Sequence, residues 1–395
     1  MGEVANIPQL RFPEFSNEWE ESKVGKVFKV SAGGDIKTEN VSQIKTDGFP
    51  YPIYANAEKA KGLYGYSNLY KSEANVVTVA GRGVNIGIAH VRLEPFYPIV
   101  RLLVLNPIKD ADVKFWENQL NQLNLFVEST GVPQLTAPQI SSYKVKYPSK
   151  PEQQKIAAFL TAVDNKIEQL SKKQELLSEY KKGVMQQIFS QAIRFKADDG
   201  SAFPVWEEKN IVELAKTSIG LVTSMTPYYV DKGVPLIRNN DIFQNKIRKE
   251  KLIRLDYEFD QLNKNRRLFT NDIVTVHTGN IGASAVIDEE LNGCQGFATL
   301  NTRIKNQNEI SSSFLCWYYN STRNIKYALS MATGDGRSNY NLKDFNKATI
   351  PVPSLPEQTK IAAFLTAADN KIEQVGKQLD ESKQFKKALL QQMFV

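Results

Sequence analysis

The sequence is poor in the residues that most often carry out chemistry. Only two of its 395 residues are cysteine and two are histidine. Cys294 and Cys316 both lie in the second half and have no counterparts in the first. That argues against a disulfide framework or a zinc site and points to a reducing, cytoplasmic setting. His90 and His277 occupy non-matching places, and each reads as an isolated β-segment residue rather than a metal ligand or a base. There is no GxxxxGK phosphate loop, no HExxH and no CxxC. An Asn/Asp-Pro-Pro-aromatic tetrapeptide, expected of an adenine methyltransferase, is also missing, and the glycine cluster GRGVNIG from Gly81 fits no cofactor loop. No apolar run approaches 18 residues, so a membrane span is not expected. MGEVANIPQL has neither the basic nor the apolar segment of a signal peptide, and Asn6 breaks the myristoylation pattern that Gly2 would begin.

What is present suffices for two or three packed domains: 42% hydrophobic residues, with 20 Phe and 16 Tyr. The net charge of +7 permits a polyanionic partner without demanding one.

The most informative feature is a segment written twice. PEQQKIAAFLTAVDNKIEQL begins at Pro151 and PEQTKIAAFLTAADNKIEQV at Pro356, and the copies are identical at 23 of 39 positions from Pro151–Phe189 onto Pro356–Phe394. The chain therefore reads as body, helix, body, helix, with expected boundaries at 1–148, 149–190, 191–353 and 354–395. Proline in the first turn, followed by Glu152 or Glu357 at the positive helix end, favours a helix start at both places. Apolar residues then recur at spacings of four and three: Leu160, Val163, Ile167, Leu170, Leu177, Val184 and Ile188 in the first copy. Leu365, Ile372, Val375, Leu379, Leu389 and Met393 follow in the second. This is a heptad seam for lengthwise pairing. Helices of about 38 residues, roughly 55–60 Å long, are expected to pair with each other as an antiparallel coiled coil and to hold the bodies apart. A heptad inserted in both should then lengthen any gap they measure. Phe159, Phe364, Tyr180 and Phe385 fall off the seam, either to pack on their own bodies or to form a stripe for another protein's helices. The pseudo-twofold repeat matches the symmetry of duplex DNA.

The bodies diverge in sequence but share landmarks. Each opens alike, with LRFPEF before Trp19 and IRFKAD before Trp206. Each has a glycine-broken β pattern, VVTVAGRGVNIGIAHV from Val76 and DIVTVHTGNIGASAVI from Asp272. Late glycine turns (TGVPQL, TGDGRSNYNL) and extended exits (YKVKYPSKPEQ, ATIPVPSLPEQ) complete the series. The expected class is α+β: mostly β bodies with one or two short helices, best placed at Phe115–Glu128 and Ser312–Leu329.

With these motifs, twice and in order, the chain resembles the specificity subunits of type I restriction-modification systems over essentially its whole length. The resemblance implies two target recognition domains on paired spacer helices, double-stranded DNA as ligand, and docking of two methyltransferase subunits. It also implies restriction subunits as further partners, though members that work with a methyltransferase alone are known. The chain itself would bear no catalytic group, metal or cofactor; S-adenosylmethionine, ATP and Mg would sit on the partners. Residues able to read base edges or hold phosphates are, in the first body, Lys37, Asn56, Lys59, Lys61, Tyr64, Tyr66, Arg82, Asn85 and Gln134. In the second they are Arg238, Asn239, Asn240, Lys264, Arg266, Arg267, His277, Thr278, Asn280, Arg337, Ser338 and Asn339, with Gln134 and Arg337 in equivalent late turns. The tyrosines serve equally as packing residues, and KNRR equally as a solvated face. Two other classes stay open: a coiled-coil scaffold whose bodies bind proteins, and a single-chain DNA-modifying enzyme, against which the missing motifs count.

Overall fold

The apolar runs Val76–Val79 and Ile273–Val276, buried at every position, become the inner strands of two four-stranded sheets. The computed structural model describes residues 7–57, 59–123, 125, 133–332 and 338–395. It divides into two compact units, Met1–Lys172 with Gly376–Val395, and Lys173–Val375.

In the first unit the larger sheet runs Phe28–Ala32, Leu103–Pro107, Val76–Val79, Ala89–Arg92, antiparallel throughout. A smaller sheet orders Val41–Ser42, Leu63–Ser67, Tyr51–Tyr54 and Tyr97–Pro98, with its last pair parallel. The second unit repeats both. Its larger sheet runs Ala215–Ile219, Thr299–Ile304, Ile273–Val276, Ser284–Val286. Its smaller one runs Tyr229–Val230, Ile253–Leu255, Val234–Arg238, Gln295–Phe297, and again only the last pair is parallel. The same topology has thus been kept under diverged side chains.

Each body closes with a two-stranded ribbon between its opening and its exit: Glu20–Lys23 against Lys144–Tyr147, and Glu207–Asn210 against Thr349–Val352. The exits lead into helices Lys150–Phe189 and Leu355–Met393, of 40 and 39 residues. Every expected seam residue is buried or half-buried. Within the first unit the two helix segments run antiparallel. Asp164 pairs with Lys386 at 2.6 Å, and Leu160 shares a core with Leu389 and Met393. The second unit holds the equivalent pair, Lys181 with Asp369 at 2.5 Å, and places Ile188 in one core with Ile361 and Leu365.

Aromatic triads join body to helices. Phe115 stacks on Phe394 and meets Trp19 edge-on, while Phe314 lies tilted against Phe189 and meets Trp206 edge-on. The short helices differ from expectation. Val113–Asn121 ends early, and Glu128 lies outside the described residues. The second expected helix is two, Ser312–Tyr319 and Thr322–Met331, because Ser321 turns extended and caps the new helix at Asn324. The bodies also hold more short helices than the one or two expected, among them Ala137–Ser142, Tyr257–Leu262 and Leu342–Phe345.

Candidate nucleic-acid interface

At the same place in each body, two loops are stitched side by side. One joins Val76–Val79 to Ala89–Arg92, or Ile273–Val276 to Ser284–Val286. Left-handed glycines fold both: Gly83 and Gly87 in the first, Gly279 and Gly282 in the second. Beside each runs the late turn that caps the next short helix, through Thr136 in one body and Asn341 in the other. The late turn donates Leu135 N–H to the Gly81 carbonyl, and Tyr340 N–H to the His277 carbonyl, both at 2.9 Å. Side chains pair above each stitch. Arg82 donates through Nε and Nη2 to Gln134 Oε1, at 3.1 and 2.8 Å. Thr278 donates to Asn339 Oδ1 at 2.6 Å. The register therefore matches Gln134 with Asn339, whereas the sequence paired it with Arg337, which lies outside the described residues.

An asparagine fixes the strand leaving each loop. Asn121 donates to the Ala89 carbonyl and accepts from its N–H, and Asn320 does the same for Ser284. Both lie six residues beyond the phenylalanine of the aromatic triad, a spacing visible in the sequence yet meaningless without the fold.

The remaining candidates divide by what they already hold. Asn56 is spent on the backbone, donating to Val100 O at 2.5 Å and accepting from Gly81 N–H at 2.8 Å. Asn85 reaches the Asn56 carbonyl. Arg238 forks onto buried Asp241, Arg267 onto buried Asp260, and Arg266 onto the carbonyls of Ile219 and Gly220. Asn239 donates to Ala298 O, and its Oδ1 is buried with no partner among the described residues. Tyr66 is half-buried in the smaller sheet. Burial pushes the His277 imidazole below its ordinary pKa, so near neutral pH it enters the loop as a neutral hydrogen-bonding ring. Lys61, Tyr64, Asn240, Lys264, Asn280 and Ser338 are exposed, and Lys37 is exposed with only a 3.7 Å contact to Glu39. The side chain of Lys59 lies outside the description.

Sequence reasoning gave the helix starts only a charge role, and they do more. Glu152 is buried and accepts from Arg11 and from the Trp19 indole; Glu357 accepts from the matching pair, Arg194 and the Trp206 indole. The next residues, Gln153 and Gln358, accept from Asp112 N–H and Ser311 N–H and donate to the exit carbonyls Pro148 and Pro353. The repeated PEQ is thus a latch from helix to body. The off-seam aromatics split: Phe159 packs on Phe12 and Phe364 on Phe195, while Tyr180 and Phe385 stay 56% and 53% exposed, as does the neighbouring Leu176 at 51%.

A duplicated α+β body, with one sheet topology and one loop pair in each copy, is the plan on which the comparisons with known proteins agree. Residues 16–178 and 205–382 each match the type I restriction modification DNA specificity domain, and the chain belongs to that family. The type I restriction enzyme MjaVIII specificity subunit of Methanocaldococcus jannaschii is 25% identical over 305 residues, covering 74% of this chain and 71% of its own. Two Mycoplasma pneumoniae proteins carrying type I specificity subunit names match at 31% and 32% identity, and the alignments span only 45% and 36% of their lengths. The crystal structure of a type I restriction-modification S subunit from M. genitalium superposes with a TM-score of 0.65 at 17% identity, covering 98% of this chain and 99% of that one. A structure described as showing complex assembly and conformational transition of the type I system gives 0.53 at 14% identity, covering 94% and 96%.

Proposed function

We propose that this chain selects a bipartite, asymmetric DNA target, one half-site per body, and contributes no catalytic group. The observation that carries this is the duplication itself: one sheet topology and one loop stitch occur twice, with different side chains at the loop tips. Two copies of one scaffold reading two different sequences need that combination. Lys37, Lys61 and Lys264 then supply phosphate contacts, while Asn240, Asn280 and Ser338 meet base edges along with the stitched pairs. Asn56, Arg238, Arg266 and Arg267 act by holding loops in shape.

Methylation and cleavage come from partners in this reading: two methyltransferase subunits holding S-adenosylmethionine, and restriction subunits using ATP and Mg. The exposed Phe385, beside a groove of about 390 Å³ lined by Leu170 and Gln378 within the first unit, offers a helix-docking surface. Leu176 and Tyr180 offer another in the second unit. Titration of the chain with its methyltransferase partner onto duplex DNA at increasing salt tests the proposal. Six or more phosphate contacts lower affinity about a thousandfold between 50 and 200 mM salt. A salt-insensitive complex that does not hold duplex DNA favours a protein-binding scaffold.

A further inference from the structure

We infer that Arg82 and Gln134 form a preset dyad that reads one guanine in the half-site of the first body; this rests on the bipartite reading above. Arginine carries five N–H donors and no acceptor. Its Nε and Nη2 donate to Gln134, so the oxygen of that amide faces Arg82 and its NH₂ faces away. Among the described residues, neither Nη1 of Arg82 nor Nε2 of Gln134 has a further partner. The edge left open is made of donors alone: the end-on fork of the guanidinium and the amide NH₂. Guanine, with N7 and O6 accepting side by side in the major groove, is the base edge that matches such a fork.

The backbone beneath the dyad is built for position. Gly81 touches the late turn so closely that a Cβ there would lie 2.9 Å from the Arg101 carbonyl oxygen and 3.0 Å from that of Leu135. Gly83, at φ +79°, turns the chain away immediately after Arg82 into open space. Arg82 is therefore fixed at its root by the backbone and held near its tip by Gln134, which lowers the ordering cost of a contact.

A plain structural clamp explains less. The backbone bond from the late turn already ties the loops in both bodies, and the second body adds an uncharged pair, Thr278 with Asn339, at the same positions. A clamp has no use for a cation in one body and a hydroxyl in the other. Two different base pairs do. Thr278 and Asn339 offer no guanidinium fork, so the second body lacks this guanine contact.

The test uses the full chain in complex with its methyltransferase, with methylated positions mapped across genomic DNA. Wild type, Arg82→Lys and Gln134→Glu are compared. Lysine keeps the charge and loses the fork; glutamate keeps an acceptor for Arg82 and loses the outward donors. Both variants are expected to relax one G·C position in one half-site by about tenfold or more, with the other half-site and the gap unchanged. If Arg82→Lys does not assemble, Gln134→Glu decides alone. An unchanged motif, whether methylation falls evenly at all sites or not at all, overturns the dyad and leaves the bipartite reading standing. A wild-type complex without a bipartite motif overturns both.

Discussion

Replacing Arg194 with alanine is expected to destabilise the second unit by about 3 kcal/mol. Its partner Glu357 is fully buried, while the Arg194 side chain keeps a quarter of its surface in solvent. Removing the arginine strands a carboxylate that, among the described residues, retains the Trp206 indole N–H alone. Removing one partner of a buried pair costs about 3–5 kcal/mol, and partial exposure of Arg194 places this case at the low end. Cys294 and Cys316 provide the readout, because both are buried in the same unit. Burial holds the Cys294 thiol up to about 12 and raises that of Cys316 as well, so neither reacts while folded. Alkylation in native buffer should accelerate roughly a hundredfold, at a factor of ten per 1.4 kcal/mol. An unchanged rate means that the latch is decorative.

Leu389→Ala is expected to act on the other unit, at the opposite end of the sequence from the body it supports. Leu389 is 4% exposed and packs in the core that contains Trp19, Phe115 and Leu160. Truncating a buried leucine costs about 2–5 kcal/mol, and about 3 is expected here. Hydrogen exchange should quicken in Val76–Val79 and Leu103–Pro107, while Cys294 and Cys316 keep their slow alkylation. Faster alkylation, with the first sheet still protected, would contradict the placement of this helix end.

The helices were legible because a heptad seam and a proline start are local signals, and pairing was legible because the segment occurs twice. Bodies were legible only as class and landmarks. Their sheets depend on distant partners, such as Phe28–Ala32 with Leu103–Pro107, and no local pattern specifies such register. Reachable and committed polar residues look alike in the sequence for a similar reason. Nothing in RNND or KNRR reveals that Asp241 and Asp260 take up Arg238 and Arg267. Arg82 between two glycines was an informative signal, but its partner Gln134 lies 52 residues on and became visible only in the fold. Glu152 and Glu357 looked like helix-end charges because their arginines arrive from irregular body openings far away in sequence.

The central claim, two bodies of one design reading two half-sites, is tested most directly by co-expressing the chain with its methyltransferase and sequencing the newly methylated positions. The expected result is an asymmetric motif in two parts, separated by a gap of constant length. A stable complex that methylates a single continuous motif, or no defined motif, would contradict it.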